Sequence, residues 1–278
     1  MQTLSGLLGD TSERNYSQKL QLFNAFAEPE LRQAISDLQL QPGMQILDAG
    51  CGAGESLGWF FDALKSKGTV VGMDLSAAHV IAARACAPPA ALVLQANLIH
   101  APLAPRSFDL VWCANTINHV RDPLAGLLAL CALSRPGGRV VLGQTGFLPD
   151  MVFAWDSRLE RLVTEAVRQY FREKYRLNEE DVTATRALVG LLRRGQLHNI
   201  QVRTLIIERI SPLREADERY LNDGIFRGFW GERLRPYLAT RDFEKLTKLC
   251  DPQHPDFALR RPDFHFLQTF TLAMGEAP

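Results

Sequence analysis

Between Leu47 and Ser56 the chain reads LDAGCGAGES. Glycines at positions 50, 52 and 54 leave the backbone bare, so a ligand can come close to main-chain amides, and a carboxylate, Asp48, stands two residues before the first of them. A cluster of this kind after an apolar run belongs to nucleotide-binding loops, and its spacing narrows the nucleotide. A dinucleotide loop is GxGxxG. Gly50 and Gly52 match its first two glycines, but Glu55 stands at the third, where tight helix packing wants no side chain. A phosphate loop needs GK[ST], which is absent. What remains is DxGxGxG.

Other residues able to do chemistry fall at the ends of apolar runs. Asp74 closes TVVGMD, Asn97 closes ALVLQAN and Asn115 closes FDLVWCAN. His119, in NTINHV, follows the last of these and is the candidate general base; the competing reading is a ring that only positions a ligand. His265 could face a ligand or the core, and His254, between prolines, reads as a solvated loop residue. His79, His100 and His198 have no motif around them. Asp109 begins an apolar run and reads as structural. Cys51 reads as a small loop residue, because no neighbouring base or cation is evident. The five cysteines are scattered without a CxxC pair, which gives no zinc site and suits a reduced, cytoplasmic setting.

These residues need a scaffold that brings strand ends together. Met44–Gly50, Thr69–Asp74, Ala91–Asn97, Phe108–Asn115 and Arg139–Gly146 read as five buried strands. Helical patterns separate them: ESLGWFFDALKSKG, a helix from Ser76, and one from Asp122-Pro123, an N-cap followed by proline. Continuous apolar strands alternating with helices predict a parallel sheet covered on both faces, with ligands outside the carboxyl ends of its strands. Ile200–Ile210 and Phe264–Gly275 read as two further strands, Met151–Tyr175 and Asp181–Leu197 as helices, and Gly224–Leu249 as helical and irregular.

The totals exclude some functions. The 278 residues carry no formal net charge, and neither half offers the basic surface that a nucleic acid backbone requires. The stretch Pro123–Ser134 is apolar but too short to span a bilayer, and the first residues have no signal-peptide pattern, so no membrane partner is expected.

In DxGxGxG, VVGMDLS, FDLVWCANTINHVRDP and LSRPGGRVVLG, in that order, the chain resembles the class I S-adenosylmethionine-dependent methyltransferases, in detail over about Gln41–Gly146. The resemblance implies a Rossmann-like, seven-stranded, mostly parallel sheet with helices on both faces and an antiparallel last strand. It implies S-adenosylmethionine as cofactor. Asp48 and Gly50, Gly52 and Gly54 would form its loop, Asp74 would accept from the ribose hydroxyls, and Asn97 would stand near the adenine amino group, where family members often carry Asp. Leu75 and Leu98 would sandwich the adenine, and Asn115 would meet the methionine part. Acid clusters of the metal-dependent members are absent, so no metal is expected.

The implied domains are an N-terminal helical lid over 1–40, a cofactor-binding core over 41–148, 181–211 and 263–278, and a helical cap over 149–180 and 212–262. The second half holds 15 of the 24 aromatics, and its mixtures with arginine suggest either a pocket for a small-molecule acceptor or the cap's own core. Tyr16, Tyr170, Phe229, Trp230 and His265 are the candidate acceptor contacts. The expected activity is methyl transfer to O, N or activated C. The 25 Arg against 6 Lys hint at bacterial secondary metabolism. The alternative is a protein of the same fold that binds the cofactor or its demethylated product and catalyses something else or regulates a partner. A homodimer is left open. Glu55 argues against a nicotinamide dehydrogenase.

Overall fold

The computed structural model describes residues 15–146, 151–152, 156–176 and 184–278. Strands β1 (Gln45–Ala49), β2 (Thr69–Asp74), β3 (Leu92–Gln95), β4 (Phe108–Ala114) and β5 (Ser134–Thr145) are parallel neighbours in the order β3-β2-β1-β4-β5. β6 is the two-residue Met151–Val152, and β7 (His198–Ile210) lies at the edge. β8 (His265–Glu276) runs antiparallel to both β5 and β7 and lies between them. The sheet is thus the expected seven strands with an antiparallel last one, plus β6, which pairs with Leu267 and Phe266 of β8.

The strands are apolar throughout because each face meets its own helices. Ile46, Leu110, Trp112 and Val141 point into one core with α1 (Ser17–Asp37) and α2 (Glu55–Ala63). Their strand neighbours Leu47, Val111, Cys113, Val140 and Leu142 point into a second core with α4 (Pro123–Leu133) and α6 (Ala184–Arg194). Strands buried on both sides lose the polar alternation of a half-exposed sheet. α3 (Ala77–Cys86) joins β2 to β3. α4 begins as its sequence predicts: Asp122 Oδ1 accepts from the N–H of Leu124 at 3.0 Å and of Ala125 at 3.1 Å, and Pro123 needs no partner at the first position.

The helix expected from Met151 begins later. α5 spans Ser157–Tyr175, capped by Asp156, whose carboxylate accepts from the Leu159 N–H at 2.8 Å, and Met151–Val152 is the strand β6 instead. The cap residue, not the start of the apolar spacing, sets the boundary. The stretch read as irregular, Gly224–Leu249, covers most of a π-helix over Tyr220–Trp230, a 3₁₀ segment over Gly231–Tyr237 and α8 (Thr240–Cys250), and α7 (Glu215–Arg219) precedes it. Its aromatics pack largely on one another: Phe226 stacks on Trp230, Phe171 meets Phe229, and Tyr170 meets Tyr237.

From residue 15 on, the N-terminal segment forms one helix, α1, with Pro29 inside it, and residues 1–14 of the expected lid lie outside the described residues. Its second half is pinned by Arg209 of β7. That guanidinium donates to both oxygens of Glu30 (2.7 and 2.9 Å), to Asp217 at the start of α7 (2.8 Å) and to the Phe26 carbonyl (2.5 Å). No helix among the described residues is long and apolar enough to cross a membrane.

Candidate functional site

The carboxyl ends of β1, β2 and β4 meet at the glycine loop. Gly50 and Cys51 both donate their N–H to the Met73 carbonyl, at 2.6 and 3.0 Å, which ties the end of β1 to the end of β2. Gly50 has φ +87°, and a Cβ there would stand 2.1 Å from Thr116 Oγ1 of the loop after β4. Gly54, with φ +93°, precedes α2, and its Cβ would stand 2.7 Å from the Ala83 Cα of α3. Close helix packing in this loop therefore falls on Gly54. Glu55 has room for its side chain, which accepts from Asn24 Nδ2 of α1 at 2.7 Å. Gly52 is the glycine turned toward α1: a Cβ on it would stand 2.9 Å from Leu20 Cδ1.

Asp48, at the end of β1, is buried and accepts a hydrogen bond from the Ser56 hydroxyl. Burial pushes its carboxyl up to about 7; the Ser56 hydrogen bond opposes this and the charge of Asp74 adds to it. Cys51 beside it is buried too, and desolvation with the two aspartates pushes its thiol well above the usual range, which makes it an inert loop residue.

Asp74 closes β2 with both oxygens engaged. Oδ2 accepts from the Gly52 N–H at 3.0 Å, and Oδ1 accepts from the Ser76 N–H at 2.9 Å and lies 3.1 Å from His79 Nδ1. Asn97 follows β3, and its Oδ1 accepts from the Ile99 N–H at 2.9 Å, so it caps the short 3₁₀ turn Leu98–His100. Leu98 is buried in the core with α4, while Leu75 is half-buried. Asn115, after β4, adopts φ +51°; its Oδ1 accepts from Thr145 N–H at 2.8 Å and Thr145 Oγ1 at 2.9 Å, latching β4 to β5.

Under α1 lies a partly open cleft, about 570 Å³ of empty space when the solvent at its mouth is included. It brings together four of the expected residues, Asp48, Gly50, Gly52 and Asn115. Phe23 of α1, Trp112 of β4 and Phe270 of β8 supply aromatic walls, and Asn24 and Ser56 supply further polar atoms. Among the described residues, no lysine or arginine belongs to this lining. Gly54, Asp74, Leu75, Asn97, Leu98 and His119 stand around the same strand ends but outside the lining. His119 is half-buried in the 3₁₀ turn Ile117–His119.

The expected acceptor contacts are placed elsewhere. Tyr170 and Phe229 belong to the aromatic cluster of α5 and the segments after α7, and Trp230 is buried against Phe226. His265 Nε2 lies 2.7 Å from Glu208 Oε1, across β8 and β7. Tyr16 precedes α1, and its N–H donates to His79 Nε2 at 2.9 Å. His79 is the residue that sequence reasoning passed over. The one available signal was its place five residues after Asp74: side chains of a first helical turn lean back toward the strand that precedes it.

A bound S-adenosylmethionine fits this donor set. A carboxylate at the end of β2 suits a ribose diol, and the ionised form of Asp48 suits the ammonium group of a zwitterionic amino acid tail. The bare Gly52 gives backbone access beside Asp74.

Comparison with known proteins agrees on the core. Residues 47–142 match a family model described as a methyltransferase domain. The ubiquinone biosynthesis O-methyltransferase of Aeromonas salmonicida is 34% identical over 105 residues, 36% of this chain and 42% of that protein. The methyltransferase GfsG of Streptomyces halstedii is 29% identical over 130 residues, 44% of this chain and 46% of the relative. This chain therefore spans less than half the length of these relatives. The YcgJ protein of Bacillus subtilis shares the fold, with a TM-score of 0.55 at 15% identity over 90% of this chain and 99% of that one.

Proposed function

We propose, from the premise that residues 47–142 form a methyltransferase domain of the class I, S-adenosylmethionine-dependent fold, that this protein transfers a methyl group from that cofactor to a small molecule. The observation that carries the reading is the cavity at the strand ends, where Asp48, Gly50, Gly52 and Asn115 face the aromatic Phe23, Trp112 and Phe270. One end of such a space suits a charged amino acid tail and the other a flat apolar acceptor.

The cofactor, when bound, supplies an activated methyl group on a sulfonium. The chain's own residues orient and exclude. Asp74 takes the ribose hydroxyls, Asn97 stands toward the adenine and Leu75 packs against it, with Leu98 behind. Asp48 and the backbone at Asn115 hold the amino acid tail. α1 keeps water from the sulfonium through Leu20 and Phe23, which matters because displacement is fastest in a dry, aligned site. His119 takes a proton from acceptors that must lose one, such as phenols or acidic carbons.

The lining without lysine or arginine favours a neutral acceptor over a carboxylate or phosphate. Phe23 and Phe270 are the acceptor contacts in this reading. The described parts of 149–180 and of 212–262 serve as the cap that closes the space, with Tyr170, Phe229 and Trp230 building its interior. The acceptor atom is oxygen, nitrogen or an activated carbon, in secondary metabolism.

The test is transfer of labelled methyl to a panel of phenols, amines and activated carbons, beside calorimetric binding of S-adenosylhomocysteine. Expected are binding and transfer to at least one neutral acceptor. His119→Ala slows transfer to a phenol more than it weakens binding. Binding without transfer to any acceptor returns the protein to the binding-only alternative. Stabilisation by NAD and not by S-adenosylmethionine in a thermal shift overturns the reading.

A further inference from the structure

Asp74, His79, Tyr16, Leu20 and Gly52 form a closed ring of contacts around one point at the end of β2. Gly52 donates its N–H to Asp74 Oδ2 at 3.0 Å. The Gly52 Cα faces Leu20, close enough that a Cβ would stand 2.9 Å from Leu20 Cδ1. Leu20 donates its N–H to the Tyr16 carbonyl at 3.0 Å, and Tyr16 donates its own N–H to His79 Nε2 at 2.9 Å. His79 Nδ1, 3.1 Å from Asp74 Oδ1, completes the circuit.

The circuit fixes the tautomer of His79. Nε2 accepts a backbone N–H and so carries no proton; Nδ1 carries it and donates to the carboxylate. The ring is buried, at 7% exposure, and Asp74 is little more open, so neither partner is free to turn to water. Ser76 adds to the hold: its N–H donates to Asp74 Oδ1 at 2.9 Å, and its Oγ accepts from the His79 N–H at 3.3 Å. At the start of α1, Asn15 Oδ1 accepts from the Ser17 N–H at 2.9 Å, and the Tyr16 N–H bond to the imidazole ties that first turn to α3.

We propose that His79 is a positioning residue of the cofactor site: it orients the Asp74 carboxylate for the ribose and docks the first turn of α1 beside it. The role rests on the cofactor reading above. One side chain thus holds a ligand-binding carboxylate with one nitrogen and the covering helix with the other, which makes cofactor affinity depend on a residue that need not touch the cofactor.

The experiment measures two quantities in the full chain: calorimetric affinity for S-adenosylhomocysteine, and hydrogen exchange at the Tyr16 and Leu20 amides with that ligand bound. His79→Phe keeps a ring of similar bulk and loses both hydrogen bonds. It is expected to weaken binding about tenfold, the value of one hydrogen bond to a charged group, and to speed exchange at both amides. His79→Gln, with a donor and an acceptor on one amide, is expected to recover most of the affinity. A His79→Phe protein that binds as the parent does, or whose two amides exchange no faster, overturns the role. So does a His79→Gln protein no better than His79→Phe, since packing alone would then explain the loss. A parent protein that fails to bind S-adenosylhomocysteine overturns the cofactor reading itself, and His79's role with it.

Discussion

Asp48 shows how a single residue can carry a cost that serves a ligand. Its carboxyl would titrate near 3.8 in the unfolded chain and is pushed up to about 7 in the fold, chiefly by burial. A raised carboxylate destabilises the free protein where the folded state must ionise it. The cost is absent below about pH 4, grows as the pH climbs toward 7, and is complete above, at up to about 4 kcal/mol. Asp48→Asn should therefore be more stable than the parent in denaturant titrations near about pH 8, with the gap closing near about pH 4. A gap of constant size at both pH values contradicts this account. The ammonium group of the proposed cofactor's zwitterionic tail favours the ionised form, so affinity for S-adenosylhomocysteine should rise with pH through about 7 in the parent and stay flat in Asp48→Asn. Asp48 and the glycines were legible because their chemistry is local, a carboxylate and bare backbone in one short loop. His79 was not, because its partner Tyr16 lies 63 positions away and only the packing of α1 brings them together.

Among the elements, α1 depends most on distant partners. Pro29 removes one N–H from its hydrogen-bond ladder and crowds the carbonyl four residues earlier, which weakens the helix at its middle. Arg209 compensates by binding Glu30 on two oxygens, the Phe26 carbonyl and the buried Asp217, while its guanidinium lies 4.7 Å from the centre of the Phe26 ring. Against its own burial, hydrogen bonds from Arg214 and Arg209 hold the Asp217 carboxyl below the usual carboxylate range. That stabilisation is present above the unfolded value of 3.8 and is lost as the pH falls through the lower folded value. Arg209→Met should cost about 3 kcal/mol near neutral pH, since it leaves a buried carboxylate with one partner fewer. The cost should shrink in acid, and exchange should rise across α1 before the strands. Unchanged protection of α1 would contradict the assigned anchoring. The family resemblance implied a helical N-terminal segment, but an arginine in a strand gives no sign that it will grip a helix 179 positions earlier in the chain.

At the scale of the molecule, the parallel half was legible because each strand is an apolar run ended by a turn residue, whose crossover helices leave no choice but a parallel sheet. The interrupted half was harder. A two-residue strand such as β6 has no periodicity to detect, and aromatics that fill a cap carry the same pattern as aromatics that line a pocket. β7 lies at the sheet edge, and Val202, Ile206 and Ile210 are exposed along it. A chain stopped before residue 263 should express largely insoluble, because β5 and β7 would each lose a hydrogen-bonded neighbour and present an apolar edge. A soluble, cooperatively melting product would contradict this dependence. The placement of β8 also bears on synthesis. Residues 198–210 leave the ribosome well before residues 265–276, so β7 must wait without a partner while the intervening helices are made. The nascent sheet stays open at the seam between β5 and β7 until the late strand slides in, and that interval is when a chaperone would have most to hold.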